Sequence, residues 1–166
     1  IGTLLAFYIT PRIVKILEKR TVVLIAIAGV GIFSPAAFVM YNLGFTPEKG
    51  SLELVFFISF FLVFLITLNV MGIMVRDSMV GDIADEVELQ SGKRQEGILF
   101  ATVGFMQKLN AGLGGFFAGL VLNFINFDRT NHTAEQAYTL AFIQGPVTTL
   151  LMVIPIIIFF GYSLSS

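Results

Sequence analysis

The chain has 166 residues, 56% of them hydrophobic and 13% charged, with a net charge of −1 and no cysteine. Soluble domains carry about 25% charged residues, so this composition is that of a membrane protein. The balanced charge offers no basic face to nucleic acid, and without thiols there is neither a disulfide framework nor a thiolate metal site.

In chain order, the first element is an apolar run at 1–9. It is shorter than the roughly 20 residues needed to cross a bilayer core. It lacks the basic start and cleavage site of a signal peptide, so it reads as the tail of a helix whose beginning lies outside the sequence. Four longer runs follow at 21–41, 53–75, 98–124 and 137–162. Each is long enough to span, and each is expected to be helical, because lipid gives backbone groups no water to bond. The fold class expected is therefore all-α membrane protein, one partial transmembrane half over 1–166.

Charge sorts the connections between these runs. Arg12, Lys15, Lys19 and Arg20 fall in 10–20, and Arg76, Lys93 and Arg94 in 76–97, whereas Lys49 and Arg129 are alone on the other side. This positive-inside bias makes 10–20 and 76–97 cytoplasmic loops and the C-terminus, 163–166, cytoplasmic too, in a multi-pass protein of the cell (inner) membrane. Tyr8, Tyr41, Tyr138 and Tyr162 lie near run ends, where amphipathic rings favour the headgroup level. Phe56, Phe57, Phe60, Phe61 and Phe64 read as lipid-facing or packing groups. Thr133-Ala134-Glu135-Gln136 fits a capping box before the last run. Pro35, Pro146 and Pro155 lie inside runs, where they would kink helices.

The connection 76–97 is the most polar stretch. Val80, Ile83 and Val87 recur at helical spacing, so the preceding helix is expected to continue, with Ser91-Gly92 as its stop. Asp82, Asp85 and Glu86 admit three readings: a solvated face, a Mg²⁺ site, or a gate in which carboxylates pair with and release basic residues. Only the second would suit a different class of protein, an intramembrane Mg²⁺-dependent transferase. A non-transporting membrane scaffold is a further class.

Lys108 is the sharpest signal. It lies ten residues beyond Ile98, about 15 Å along a helix and so near the midplane of a span. A cation there costs about 2.5–3.5 kcal/mol on insertion scales, which calls for a carboxylate partner or a wet pathway. Gln107 is adjacent and Asn110 lies further round. Residues three and four apart share a face, and around Lys108 these are small: Ala101, Gly104, Ala111, Gly112, Gly115 and Gly119. That face is expected to pack against another helix, with Gly104, Gly112, Gly115 and Gly119 permitting close approach. No acidic residue of the chain lies at the same depth. Thr67, Asn69, Gln144, Thr148 and Thr149 are intramembrane polar groups that could bond a substrate or bond across helices. His132, the lone histidine, reads as solvated, and Asn131-His132-Thr133 has the form of a glycosylation sequon. No nucleophile–base pair or phosphate loop appears, so the chain is not expected to be an enzyme or to hold a cofactor.

The stretch Met79 to Gly97, with Asp82, Asp85, Glu88, Gly92, Arg94, Glu96 and Gly97 in register, resembles the segment between helices X and XI of glycoside–pentoside–hexuronide:cation symporters. These form the melibiose-carrier-like branch of the major facilitator superfamily. Lys108 falls where the family carries a lysine in the following helix. Gly81, Glu86 and Ser91 depart from the family's usual Ala, aromatic and Thr. The match is specific over 79–108, and the layout of five runs extends it more loosely across the chain, including the basic loop before 21. The resemblance implies the tail of helix VIII followed by helices IX–XII of the C-terminal six-helix half. It implies a symporter of a sugar or related polar solute working by alternating access, with a lysolipid or other amphiphile as the alternative solute. It also implies Na⁺, H⁺ or Li⁺ coupling, with Lys108, Gln107 and Asn110 on the coupling pathway. Arg76, Asp82, Asp85, Glu88, Arg94 and Glu96 would form a cytoplasmic gate. The expected partners are the lipid bilayer, a small-molecule solute, and the N-terminal half, whose carboxylates would face Lys108.

Overall fold

The computed structural model describes residues 1–48, 50–127 and 133–161, with side chains to 158. Lys49, Asp128, Arg129, Asn131, His132, Tyr162 and the tail 163–166 lie outside the described residues, and with them the sequon, the lone histidine and the sparse side of the charge count. Every regular element among the described residues is a helix: α1 (Gly2–Ile13), α2 (Lys19–Asn42), α3 (Leu52–Ser91), α4 (Glu96–Phe124), α5 (Ala134–Phe142), a π-helical turn (Ile143–Val147) and α6 (Thr148–Gly161).

Three of these runs are long and apolar enough to cross a membrane: Lys19–Asn42, Leu52–Ser91 and Ala134–Ile158. Helix α4, at 29 residues, has the length but not the apolarity. Gln107, Lys108 and Asn110 interrupt it at its centre. Helix α1, at 12 residues, spans only about 18 Å.

Two connections are shorter as coil than the charge pattern suggests. Helix α1 passes through Pro11 to Ile13, and α2 begins at Lys19, so 14–18 alone separate them. The i,i+4 pair of Tyr8 and Arg12, with the guanidinium 3.5 Å from the ring centroid, favours continuing the helix past Thr10. Helix α3 runs 40 residues, about 60 Å or twice a bilayer core, and therefore carries most of the polar 76–97 stretch in helical form. It ends at Ser91 because Gly92 turns to φ 66°, a left-handed conformation that costs a glycine little.

The other helix ends are chemically explicit. Gly44 at φ 75° ends α2, with Phe45 N–H donating to Met40 O (3.0 Å) and Gly44 N–H to Tyr41 O (3.1 Å). Asn126 at φ 50° ends α4 in the same way, with Phe127 N–H on Leu122 O (2.9 Å) and Asn126 N–H on Asn123 O (3.0 Å). Ser51 Oγ accepts from Leu54 N–H at the start of α3 (3.1 Å). The capping box forms at α5: Gln136 N–H donates to Thr133 Oγ1 (3.2 Å), and Thr133 N–H donates to Gln136 Oε1 (2.9 Å).

The chain divides into two compact units, the first made of Ile1–Arg76 and the last helical run from Ala141, the second of Asp77–Leu140. In the first unit, small residues let backbones approach, as packing in lipid requires. A Cβ placed on Gly2 would lie 2.8 Å from Val63 O on α3, and one on Gly29 would lie 2.8 Å from Leu68 Cδ1. Val22, Val23 and Ala26 of α2 and Phe61, Met71 and Val75 of α3 are buried. Phe33 of α2 stacks on Phe64 (5.2 Å between centroids) and tilts against Phe61 (6.4 Å). These phenylalanines are packing groups between helices. The second unit contains the end of α3, all of α4 and the start of α5.

Candidate functional site

Lys108 lies about 18 Å from the start of α4 and about 24 Å from its end. It is exposed, as are Gln107 and Asn110. Among the described residues Lys108 makes no hydrogen bond or ion pair. The helix buries none of its residues.

The glycines around it do not pack within this chain. A Cβ placed on Gly104, Gly112, Gly115 or Gly119 meets no atom within 4 Å. The helix expected against this face is not among the described residues. Small residues make a face approachable without supplying what approaches it, and the second unit holds no other membrane-length helix among its described residues. Among the described residues, the glycines where an added Cβ would meet another atom within 4 Å are Gly2, Gly29, Gly72 and Gly145, in the first unit, and only at Gly2 and Gly29 is the approach under 3 Å.

The polar residues at the α3–α4 connection do come together. Arg94, in the short coil, donates through Nε (3.0 Å) and Nη2 (2.7 Å) to the same Oε2 of Glu96. Glu96 sits in the first turn of α4, where a carboxylate is favoured by the helix dipole. The Arg94 guanidinium titrates above its ordinary value. The Glu96 hydrogen bond is the main cause, followed by the charges of Glu96, Glu88 and, more weakly, Asp85. Asp85 and Glu88 stand one turn apart near the C-terminal end of α3, where the dipole disfavours negative charge. Arg94 therefore offsets both the dipole and their mutual repulsion. Because both side chains are exposed, solvent screens the pair and it can open readily.

Asp82 is exposed and Arg76 half-buried, and both are engaged in interactions. Arg76 is the last residue of α3 in the first unit, and Asp82, Asp85 and Glu88 follow on the same helix in the second. Glu86 accepts a hydrogen bond from Gln90 Nε2 (3.1 Å). Among the described residues no three acidic, His or Cys side chains converge so as to hold a metal ion.

The intramembrane polar groups mostly turn to backbone. Asn69 Nδ2 donates to Leu65 O (3.0 Å) one turn back. Thr67 Oγ1 reaches both Val63 O (2.7 Å) and, on α1, Gly2 O (3.0 Å). Thr148 Oγ1 contacts Gln144 O and Gly145 O, and Thr149 Oγ1 contacts Gly145 O (2.9 Å) and, on α2, Gly31 O (3.2 Å). For Thr67 and Thr149 this favours bonding across helices over bonding a solute.

Sequence reasoning missed the second task of Gln136. Besides closing the capping box, its Nε2 donates to Ile125 O (3.3 Å) and Asn126 O (2.9 Å) at the end of α4. The carbonyls at a helix C-terminus need donors, and the capping motif at 133–136 marks which side chain is near; the pairing itself is long-range.

A family model described as MFS/sugar transport protein matches residues 1–165. A protein of Escherichia coli strain K12 described as a glycoside/cation symporter, YagG, is 26% identical over 83 residues, which is 50% of this chain and 17% of the relative. The uncharacterized symporter YnaJ of Bacillus subtilis strain 168 is 39% identical over 62 residues, 37% of this chain and 12% of the relative. No solved structure matches.

Proposed function

Because the chain belongs to the MFS/sugar transport protein family, matched over residues 1–165, we propose that it is part of a cation-coupled symporter of a sugar or related polar solute. The five-run layout supports its assignment as the tail of helix VIII and helices IX–XII. The glycoside/cation description of YagG supports a glycoside-like solute and a coupling cation, Na⁺, H⁺ or Li⁺. The E. coli and B. subtilis relatives extend well beyond the parts aligned here, and the activity proposed is that of the longer protein.

The observation that carries this reading is Lys108, an ammonium at the centre of a 29-residue helix with no partner among the described residues. A charge retained at that depth marks a pathway or a counter-ion. Its proposed role is to compete with the coupling cation for carboxylates on the other half, so that ion and solute occupancy are linked. Gln107 and Asn110 lie on the same central part of α4 and would contribute solute hydrogen bonds. The Arg94–Glu96 pair with Asp85 and Glu88 would act as a gate on the cytoplasmic side, where the charge bias places the connection. Such an exposed, screened pair forms and breaks at low cost, as a gate between two conformations requires.

The test is uptake by the full-length transporter in vesicles. Lys108→Ala should abolish accumulation of a labelled glycoside driven by a Na⁺, H⁺ or Li⁺ gradient, while Lys108→Arg keeps the charge and part of the activity. Unchanged rate and ion dependence in Lys108→Ala would remove the coupling role. Competition by a lysolipid but not by a glycoside would replace the solute.

A further inference from the structure

Proline inside a helix leaves a predictable vacancy. Pro35 lies within α2 and has no N–H, so the carbonyl four residues earlier, that of Gly31, loses its ordinary intrahelical donor. In lipid no water replaces it, and a neighbouring hydroxyl can. Thr149 Oγ1, on α6, lies 3.2 Å from that Gly31 oxygen. The same hydroxyl lies 2.9 Å from Gly145 O, one turn back on its own run. A hydroxyl has one proton and can donate fully to only one acceptor at a time.

The surroundings place both helix irregularities at one level. The π-helical turn Ile143–Val147 contains Pro146, and within it Gly145 is buried against α2. A Cβ placed on Gly145 would sit 3.4 Å from Pro35 Cα and 3.5 Å from Phe38 Cβ. Phe142 and Phe38 close the contact beside it, with ring centroids 5.8 Å apart. The proline break of α2 and the π-turn of the last run therefore face each other, with Thr149 as the hydrogen-bonding link between them.

We infer that Thr149 is a positioning residue: its hydroxyl supplies the donor that Pro35 removes, pins α2 to the last helical run, and can release it by turning to Gly145 O. When the bond to Gly31 is made, the two interrupted helices move as one body. When it is broken, each bends at its own irregularity. A π-turn opposite a proline break is a place where a membrane helix can change shape without exposing backbone to lipid. The inference concerns the helix pair and stands whether or not the symporter reading holds.

A double-mutant cycle in the full-length protein tests it. Thr149→Val keeps the shape and removes the proton, Thr149→Ser keeps the proton, and Pro35→Ala returns the missing N–H. Thermal unfolding should show Thr149→Val shifting the folded-to-unfolded ratio about threefold towards unfolded, the scale of an average interhelical hydrogen bond in lipid. Thr149→Ser should restore it, and in a Pro35→Ala background Thr149→Val should have no effect. Spin-label distances between α2 and α6 should broaden in Thr149→Val and return to the parent width in Thr149→Ser, which lost packing alone would not produce. Equal behaviour of the Val and Ser variants would overturn the inference. So would an effect of Thr149→Val that is the same with and without Pro35. The Val–Ser comparison decides the matter even where Pro35→Ala does not accumulate.

Discussion

Single residues act here mainly through how closely they let backbones approach. Gly2 and Gly72 are both glycines in helices of the first unit, yet their surroundings differ. A Cβ on Gly2 would meet the Val63 carbonyl at 2.8 Å, which is rigid backbone, whereas one on Gly72 would meet only Ala26 Cβ at 3.4 Å. Gly2→Ala should therefore destabilise by about 1–3 kcal/mol through overpacking. Gly72→Ala should be neutral or gain up to about 1 kcal/mol in helix propensity. Thermal unfolding of the two variants in detergent checks the contrast, and equal effects would show that the α1–α3 approach is not as close as described. Neither outcome is legible in the sequence, since both residues are small members of apolar runs. Lys108 is the opposite case: its oddity is chemical, and a charge among apolar and small residues stands out without coordinates.

At the scale of elements, caps and stops are local and were largely readable. Ser91-Gly92 ends α3, and Thr133 with Gln136 starts α5, because each motif satisfies groups within a few residues of itself. The reach of Gln136 to Ile125 O and Asn126 O joins two helix ends ten or more residues apart, and no short motif announces it. Gln136→Ala removes both sets of bonds and should cost about 1–2 kcal/mol. Amide exchange should quicken at the last turn of α4 and the first turn of α5 together. Faster exchange at α5 alone would mean that the capping box forms without the link. Composition alone stops α1 at residue 9, short of Ile13, because a helix need not stop where apolar residues do, whereas the continuation of α3 to Ser91 is read from its spacing. The Tyr8–Arg12 stack and the Val80, Ile83 and Val87 spacing carry helix into charged sequence.

For the whole molecule, the mismatch between α4 and a lipid environment is the governing fact. Phe105, Phe116 and Phe117 are exposed and suit lipid, but Lys108, Gln107 and Asn110 do not. In membranes receiving this 166-residue chain alone, insertion of α4 should be partial, and Lys108→Leu should raise the inserted fraction by an amount equivalent to about 3 kcal/mol. On the proposed symporter reading, the same change in the full-length protein should stop coupled uptake, an exchange of function for stability. Glycosylation mapping reads the first and vesicle uptake the second. Full insertion of the parent α4 alone would show that the ammonium needs no outside partner. By itself the sequence determined the all-helical membrane character, the family, the polar connection and the anomalous lysine, because hydropathy, charge and local motifs are properties of composition and near neighbours. Only the tertiary structure decided which glycines touch a neighbour, which threonine answers the carbonyl freed by Pro35, and that the glycine face of α4 meets no atom among the described residues. Those facts depend on residues far apart in sequence arriving at one place, and spacing along a single helix does not encode what lies opposite it.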